Sequence, residues 1–205
     1  DEDAVIDAII ASVAENISAD MIAMGNNGDF GTSGTPGEFQ IEILNSRDDA
    51  DLFGQQNFSR VIVGGSIFEL GIPTIGIAES IDVGNFETEE SAVVLLDLLS
   101  APADDPNSLN QFTLDGSVSI IDLIGIGVGN IVAHEAGHFF AAWHTDDANA
   151  TLNIMDKAPS MADTVGLVGD VWGNGDENDV DFGDDVFSPI EGFTGLENTL
   201  NAIAF

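Results

Sequence analysis

Every histidine of this chain falls in one short segment, His134-Glu135-Ala136-Gly137-His138-Phe139-Phe140-Ala141-Ala142-Trp143-His144. His134 and His138 are four residues apart, so on a helix their imidazoles stand one turn apart on the same face and can reach a single ion. Three neutral ring nitrogens form a donor set for zinc that leaves one coordination position open to water. Glu135 is placed to contact that water instead of the ion. Zinc lowers the pKa of water in that position towards about 7, and a neighbouring carboxylate can take its proton as it attacks a carbonyl. His144 follows His138 by six residues, where a continuing helix would carry it off the ligand face. The chain must therefore turn sharply after the helix. The bland alternative, ordinary core or surface histidines on an amphipathic helix, has to place all three at ligand spacing around a glutamate by chance.

These residues carry a family resemblance. The segment from His134 to His144 is similar to the extended zinc signature of the metzincin metallopeptidases, H-E-x-x-H-x-x-G-x-x-H, and Asn153-Ile154-Met155-Asp156 resembles the methionine turn that follows it there. The resemblance implies that His134, His138 and His144 bind zinc, that Glu135 is the general base, and that Met155 forms an apolar floor under the metal; alone, Met155 would read as a core methionine. It implies a matrixin- or reprolysin-like zinc endopeptidase, with an extended peptide paired along an edge strand. Gly76-Ile77-Ala78 is the candidate for that strand, an ordinary core strand being the alternative. Two departures stand out. Ala141 occupies the glycine position of the signature, where a left-handed backbone costs a non-glycine residue on the order of 1 kcal/mol. The chain has no tyrosine, so subfamilies that use one near the methionine turn are excluded.

The elements that must position these groups read as follows. Ala4 to Ile22 has helical spacing, with Val5, Ile6, Ile9, Ile10, Val13 and Ile17 on one stripe. Gly25 to Gly37 reads as a loop. Phe39 to Leu44 alternates like a strand, Arg60 to Gly64 reads as a buried strand, and Thr74 to Ala78, after Pro73, as an edge strand. Glu89 to Ser100 reads as a helix capped by Thr88, and Val128 to Trp143 as the helix that carries the chemistry. A short helix is expected near Leu196 to Ala204. Together these give an α+β fold: a single catalytic domain over residues 1–205, with an upper part of about 1–140 holding a twisted mixed sheet and the site helix, and an irregular lower part of about 141–205.

Composition sets the surroundings. Apolar residues make up 44% of the chain, enough for a packed core, whereas 37 acidic residues face only Arg47, Arg60 and Lys157, for a formal charge of -34. So negative a surface repels nucleic acid and anionic membranes, and it favours neutral or basic substrates at low salt. Its self-repulsion is relieved by salt, with a Debye length of roughly 3 Å at 1 M, or by bound cations. A saline habitat is the simplest reading, and with the resemblance it points to a secreted, extracellular protein, although no signal-peptide pattern is present. No run reads as apolar enough to span a bilayer. Asp176, Asn178, Asp179 and Asp181 lie in a glycine-punctuated run of oxygen donors that would suit calcium, with a solvated acidic loop as the alternative. Asn16, Asn57 and Asn149 begin triplets that match glycosylation acceptors. The expected partner is a protein or peptide substrate. The competing class is a non-catalytic, zinc- or calcium-stabilised acidic binding or surface module, and a zinc hydrolase of non-peptide amides shares the same ligand chemistry. Oligomeric state is not legible.

Overall fold

The structure, a computed structural model, describes residues 2–19, 41–84 and 86–203. It is a mixed α/β fold with small sheets. In chain order its named elements are α1 (Glu2–Ala14), β1 (Arg60–Val63), α2 (Ile67–Leu70), β2 (Gly76–Ala78), β3 (Ser91–Val94), α3 (Leu96–Leu99), β4 (Thr113–Leu114), α4 (Ile120–Phe139), α5 (Met161–Thr164), β5 (Val171–Trp172), β6 (Asp184–Val186), β7 (Leu196–Asn198) and α6 (Thr199–Ile203).

Helix α4 is the axis of the molecule. It begins eight residues earlier than the expected start at Val128, because Ser119 caps it. The Ser119 hydroxyl accepts the Asp122 amide at 3.3 Å and the Asp122 carboxylate accepts the Ser119 amide at 2.7 Å, a reciprocal box that satisfies two orphan donors. By length and composition α4 is apolar enough to cross a membrane, contrary to expectation, yet 61% of that stretch is buried inside the protein. Its apolarity is used in the core. Helix α1 packs along it so closely that a Cβ on Gly125 would lie 2.8 Å from that of Ala8. The same interface buries a polar chain: Asn16 donates to Asn130 at 2.9 Å, and Asn130 to the Thr164 carbonyl at 2.8 Å. Asn16, on the π-helical segment Glu15–Ala19 that continues α1, is 1% exposed and so unavailable as a glycosylation acceptor.

The three-stranded sheet has the order β1-β3-β2, with β3 parallel to β1 and antiparallel to β2. Three expectations need correcting here. Residues 89–100 are not one helix: Ser91–Val94 is the central strand, with Ala92 and Val94 buried, and only Leu96–Leu99 is helical. The run S-A-V-V-L-L-D-L-L satisfies both periods, and pairing on two sides selects the strand for its β-branched half. The strand at Arg60 is an edge, not buried, with Ile62 45% exposed. Residues 41–45 form no strand, Phe39 and Gln40 lying outside the described residues, as does the expected loop at Gly25 to Gly37. At the far end, the expected terminal helix is split between β7, paired antiparallel with β6, and α6.

Glu90, at the entry to β3, is 2% exposed, and its carboxyl is pushed up to about 7 by burial and then by the nearby Asp82. A carboxyl raised above its ordinary 4.5 favours the fold fully below that value, and the contribution is lost as pH rises through about 7. Glu90→Gln is therefore expected to unfold at a higher temperature than wild type at pH 8, with the gap closing near pH 4.5. Thermal unfolding at several pH values in constant high salt checks this; a gap independent of pH would contradict it.

Candidate metal centre

The last two turns of α4 carry His134, Glu135 and His138, and the helix stops at Phe139. The stop depends on Ala141, which takes φ +72 while the Ala142 amide reaches back to the Gly137 carbonyl at 3.1 Å. That left-handed residue reverses the chain, as the signature requires of its glycine position, and Trp143 lies beyond the helix. Left-handed alanine costs about 1–2 kcal/mol, whereas glycine loses roughly 0.4–1 kcal/mol more chain entropy on folding. Ala141→Gly is thus expected to stabilise the protein by about 0.5–1 kcal/mol, measurable by denaturant unfolding. A destabilised variant would show that the turn is not strained.

After the reversal, residues 143–145 are held from two sides. The Trp143 amide donates to Glu197 at 2.8 Å, the Ser188 amide to the His144 carbonyl at 2.9 Å, and the Thr145 amide to the Met155 carbonyl at 2.8 Å. The three imidazoles then converge, with ring centroids 4.8 to 5.3 Å apart. Each ring has its Nδ1 engaged away from the others: His134 with the Ile154 carbonyl at 2.7 Å, His138 with the Ala142 carbonyl at 2.8 Å, and His144 with a Glu191 carboxylate oxygen at 2.5 Å. This leaves Nε2 of each ring as the free nitrogen, and one ligand atom from each lies within 4.8 Å of the others. The group could hold a metal ion. Burial and mutual repulsion favour the neutral, ligating form: His134 is driven well below its usual 6.5, and His138 to about 4, in both cases chiefly by desolvation.

Met155 lies in the turn Asn153 to Asp156, fully buried, and a Cβ on Gly137 would come 2.7 Å from its sulfur. The turn is closed by the Asp156 amide on the Asn153 carbonyl at 3.0 Å and by the Met155 amide on the Asn153 side chain at 2.9 Å. Its Ile154 carbonyl is the one that orients His134, so turn and histidines are a single construction.

Glu135 is 5% exposed. Burial raises its carboxyl to about 8, and the neighbouring Ala78 amide opposes that rise. Strand β2 is an edge, as its sequence predicts. Ile75 and Glu79 bond to β3, through Leu95 at 2.7 Å and Ser91 at 3.0 Å, so antiparallel alternation turns the main chain of Gly76 and Ala78 towards the open side. A cavity of about 570 Å³ joins this edge to Glu135, the three histidines, Ile154 and Lys157.

Of the four residues expected at a calcium site, Asp179 and Asp181 come together with Glu15 from the end of the N-terminal helix, their carboxylate oxygens within 4.8 Å. Asp176 is not in that group; its amide closes a local turn on Asn174 at 2.9 Å. The Asn178 amide bonds to the Gly166 carbonyl at 2.8 Å. Exposed acids gather this way without an ion, so the group alone assigns no calcium. Sequence reasoning missed Glu15, Glu191 and Glu197. The last two are 47 and 54 residues from their partners His144 and Trp143, and among 37 acids no local spacing marks them.

Comparison with models of known protein families, with curated proteins and with solved structures returned no match.

Proposed function

We propose that this chain is a zinc-dependent endopeptidase built on the metzincin plan. The observation that carries the reading is the position of Glu135: buried beside three converging histidines, and packed against Gly76 of the edge strand β2 within one cavity. A purely structural metal site has no use for a carboxylate there. Three imidazoles that each leave Nε2 free suit zinc, though nickel, copper and iron accept the same donors. Held by His134, His138 and His144, zinc would supply Lewis-acid chemistry for a scissile carbonyl and lower the pKa of a nearby water. Glu135 takes the proton of the attacking water and delivers it to the leaving amine. The Gly76 amide and the Ala78 carbonyl face the open edge and would pair with an extended peptide bound as an added strand, the Gly76 carbonyl already accepting the Thr74 hydroxyl. Met155 supports the histidines from below without ligating. On this reading the chain divides near residue 140, with the sheet and α4 above the cleft and the methionine turn and the β6–β7 hairpin below it. The acidic surface fits a secreted protein working in a saline medium.

The test is metal content by elemental analysis on protein purified in high salt, paired with cleavage of an unstructured protein substrate. One zinc per chain with chelator-sensitive cleavage is the expected result. Zinc without cleavage would favour the non-catalytic module, and cleavage of small amides but not of peptides would favour the third class. Absence of zinc after supplementation would refute the proposal.

A further inference from the structure

We propose that Glu191 is the positioning residue of the third metal ligand, holding His144 by its Nδ1 and fixing the tautomer that presents Nε2. It rests on the metal-site reading of the histidines but not on peptidase activity. His134 and His138 belong to α4, and their orientation is set by that helix together with two backbone carbonyls. His144 has no helix beneath it. Its side chain is oriented by Glu191, 2.5 Å from Nδ1, and the Glu191 side chain is only 11% exposed. An ionised carboxylate is acceptor-only, so the contact places the proton on Nδ1 and leaves Nε2 with its lone pair.

Glu191 is itself held firmly. It ends the short 3-10 turn Pro189–Glu191, which starts with a proline and is terminated by Gly192 at φ 75. The Glu191 amide bonds to the Ser188 carbonyl at 3.0 Å, and the Ser188 amide bonds to the His144 carbonyl at 2.9 Å. One turn of chain therefore grips both the backbone and the ring of His144. The asymmetry has a chemical consequence. Two of the ligands lean on carbonyl dipoles, whereas His144 leans on a full negative charge. A carboxylate behind an imidazole raises its basicity and offsets part of the charge of a divalent ion in a partly buried site.

The competing explanation is an ion pair that only staples the C-terminal hairpin to the chain reversal. The full chain in high salt separates the two. Zinc affinity is measured by competition with a chromophoric chelator for wild type, Glu191→Ala, Glu191→Gln and Glu191→Asp, together with the visible spectrum of the cobalt-loaded protein and thermal unfolding of the metal-free form. Glu191→Gln and Glu191→Ala are expected to weaken zinc binding by about 10- to 100-fold. The cobalt spectrum should shift, Glu191→Asp should recover part of the loss, and metal-free unfolding should stay unchanged. If the alanine variant does not fold, the near-isosteric glutamine variant carries the comparison. Affinity within about threefold of wild type, or a loss that follows a fall in metal-free stability with the cobalt spectrum unmoved, would overturn the proposal. Wild type that binds no zinc would instead remove the metal-site reading beneath it. Wild type that binds zinc but cleaves nothing would leave this test intact.

Discussion

On the proposed peptidase reading, Glu135→Gln is expected to bind zinc as wild type does and to lose peptide cleavage, with kcat/KM falling by at least about 10²- to 10⁴-fold, the range associated with a positioned proton-transfer group. The three histidines have their own supports at Ile154, Ala142 and Glu191, none of which involves Glu135, so removing its charge leaves the ligands where they are. Glutamine has the same shape and can take the same place beside Gly76. What it lacks is basicity. A stability readout accompanies the kinetic one. In the metal-free protein Glu135 has its carboxyl raised to about 8, above its ordinary 4.5, so its favourable contribution is complete below 4.5 and lost as pH rises through 8. Metal-free Glu135→Gln should therefore be more stable than wild type at pH 8 and equal to it near pH 4.5. A divalent ion nearby favours the charged carboxylate, so loading with zinc should shrink that difference. Substantial cleavage by the variant, or loss of its zinc, would remove Glu135 from the role of general base.

The parts of the site that were legible in the sequence are those written in local spacing. His134 and His138 are one helical turn apart, Met155 sits in a turn eleven residues beyond His144, and the edge character of Gly76 to Ala78 follows from Pro73 and the short strand. The need for a chain reversal before His144 was also legible, though not the means. Ala141 accepts a left-handed backbone that favours glycine, and the clamp on the other side comes from Ser188, Glu191 and Glu197. Those partners are set by the β6–β7 hairpin folding back on residue 143, a tertiary event with no period to read. The fold shows the same division. Helix α1 announces itself by its apolar stripe and the site helix by its histidine spacing. Strand β3 does not, because Ser91 to Leu99 is apolar enough for either period and only the presence of β1 and β2 on its flanks decides. The calcium run was legible only in part for a related reason: composition gathered four residues of one loop, and the fold brings two of them together with Glu15, far earlier in the chain.

On the same reading, Gly76→Ala should separate the proposed chemistry of Glu135 from everything else the cleft does. A Cβ at residue 76 would collide with Oε1 of Glu135 and lie 3.0 and 3.1 Å from Cδ and Cγ of the same side chain. No positive φ requires glycine here, so the restriction is close approach alone. The atoms struck are the far end of a flexible side chain, which can swing aside at small cost. Alanine is also better than glycine inside a strand by roughly 0.5–1 kcal/mol, so stability should hold or rise slightly. Zinc affinity should hold as well, since no histidine ligand lies among the atoms struck. The carboxylate, however, must leave its place beside Ala78, and a displacement of about 1 Å in a catalytic group can cost on the order of 10²-fold in rate. The loss is expected in kcat, with KM little changed, because the main chain of Gly76 and Ala78 remains on the open edge for a peptide to pair with. Steady-state kinetics on one fluorogenic peptide, alongside zinc titration and thermal unfolding, provides all three readouts. The double variant with Glu135→Gln supplies the control: if alanine acts only by moving the carboxylate, it should add almost nothing once the carboxylate is gone. Full activity in Gly76→Ala would mean that the general base need not occupy the position seen here. A further drop in the double variant would mean that β2 serves catalysis by a route independent of Glu135.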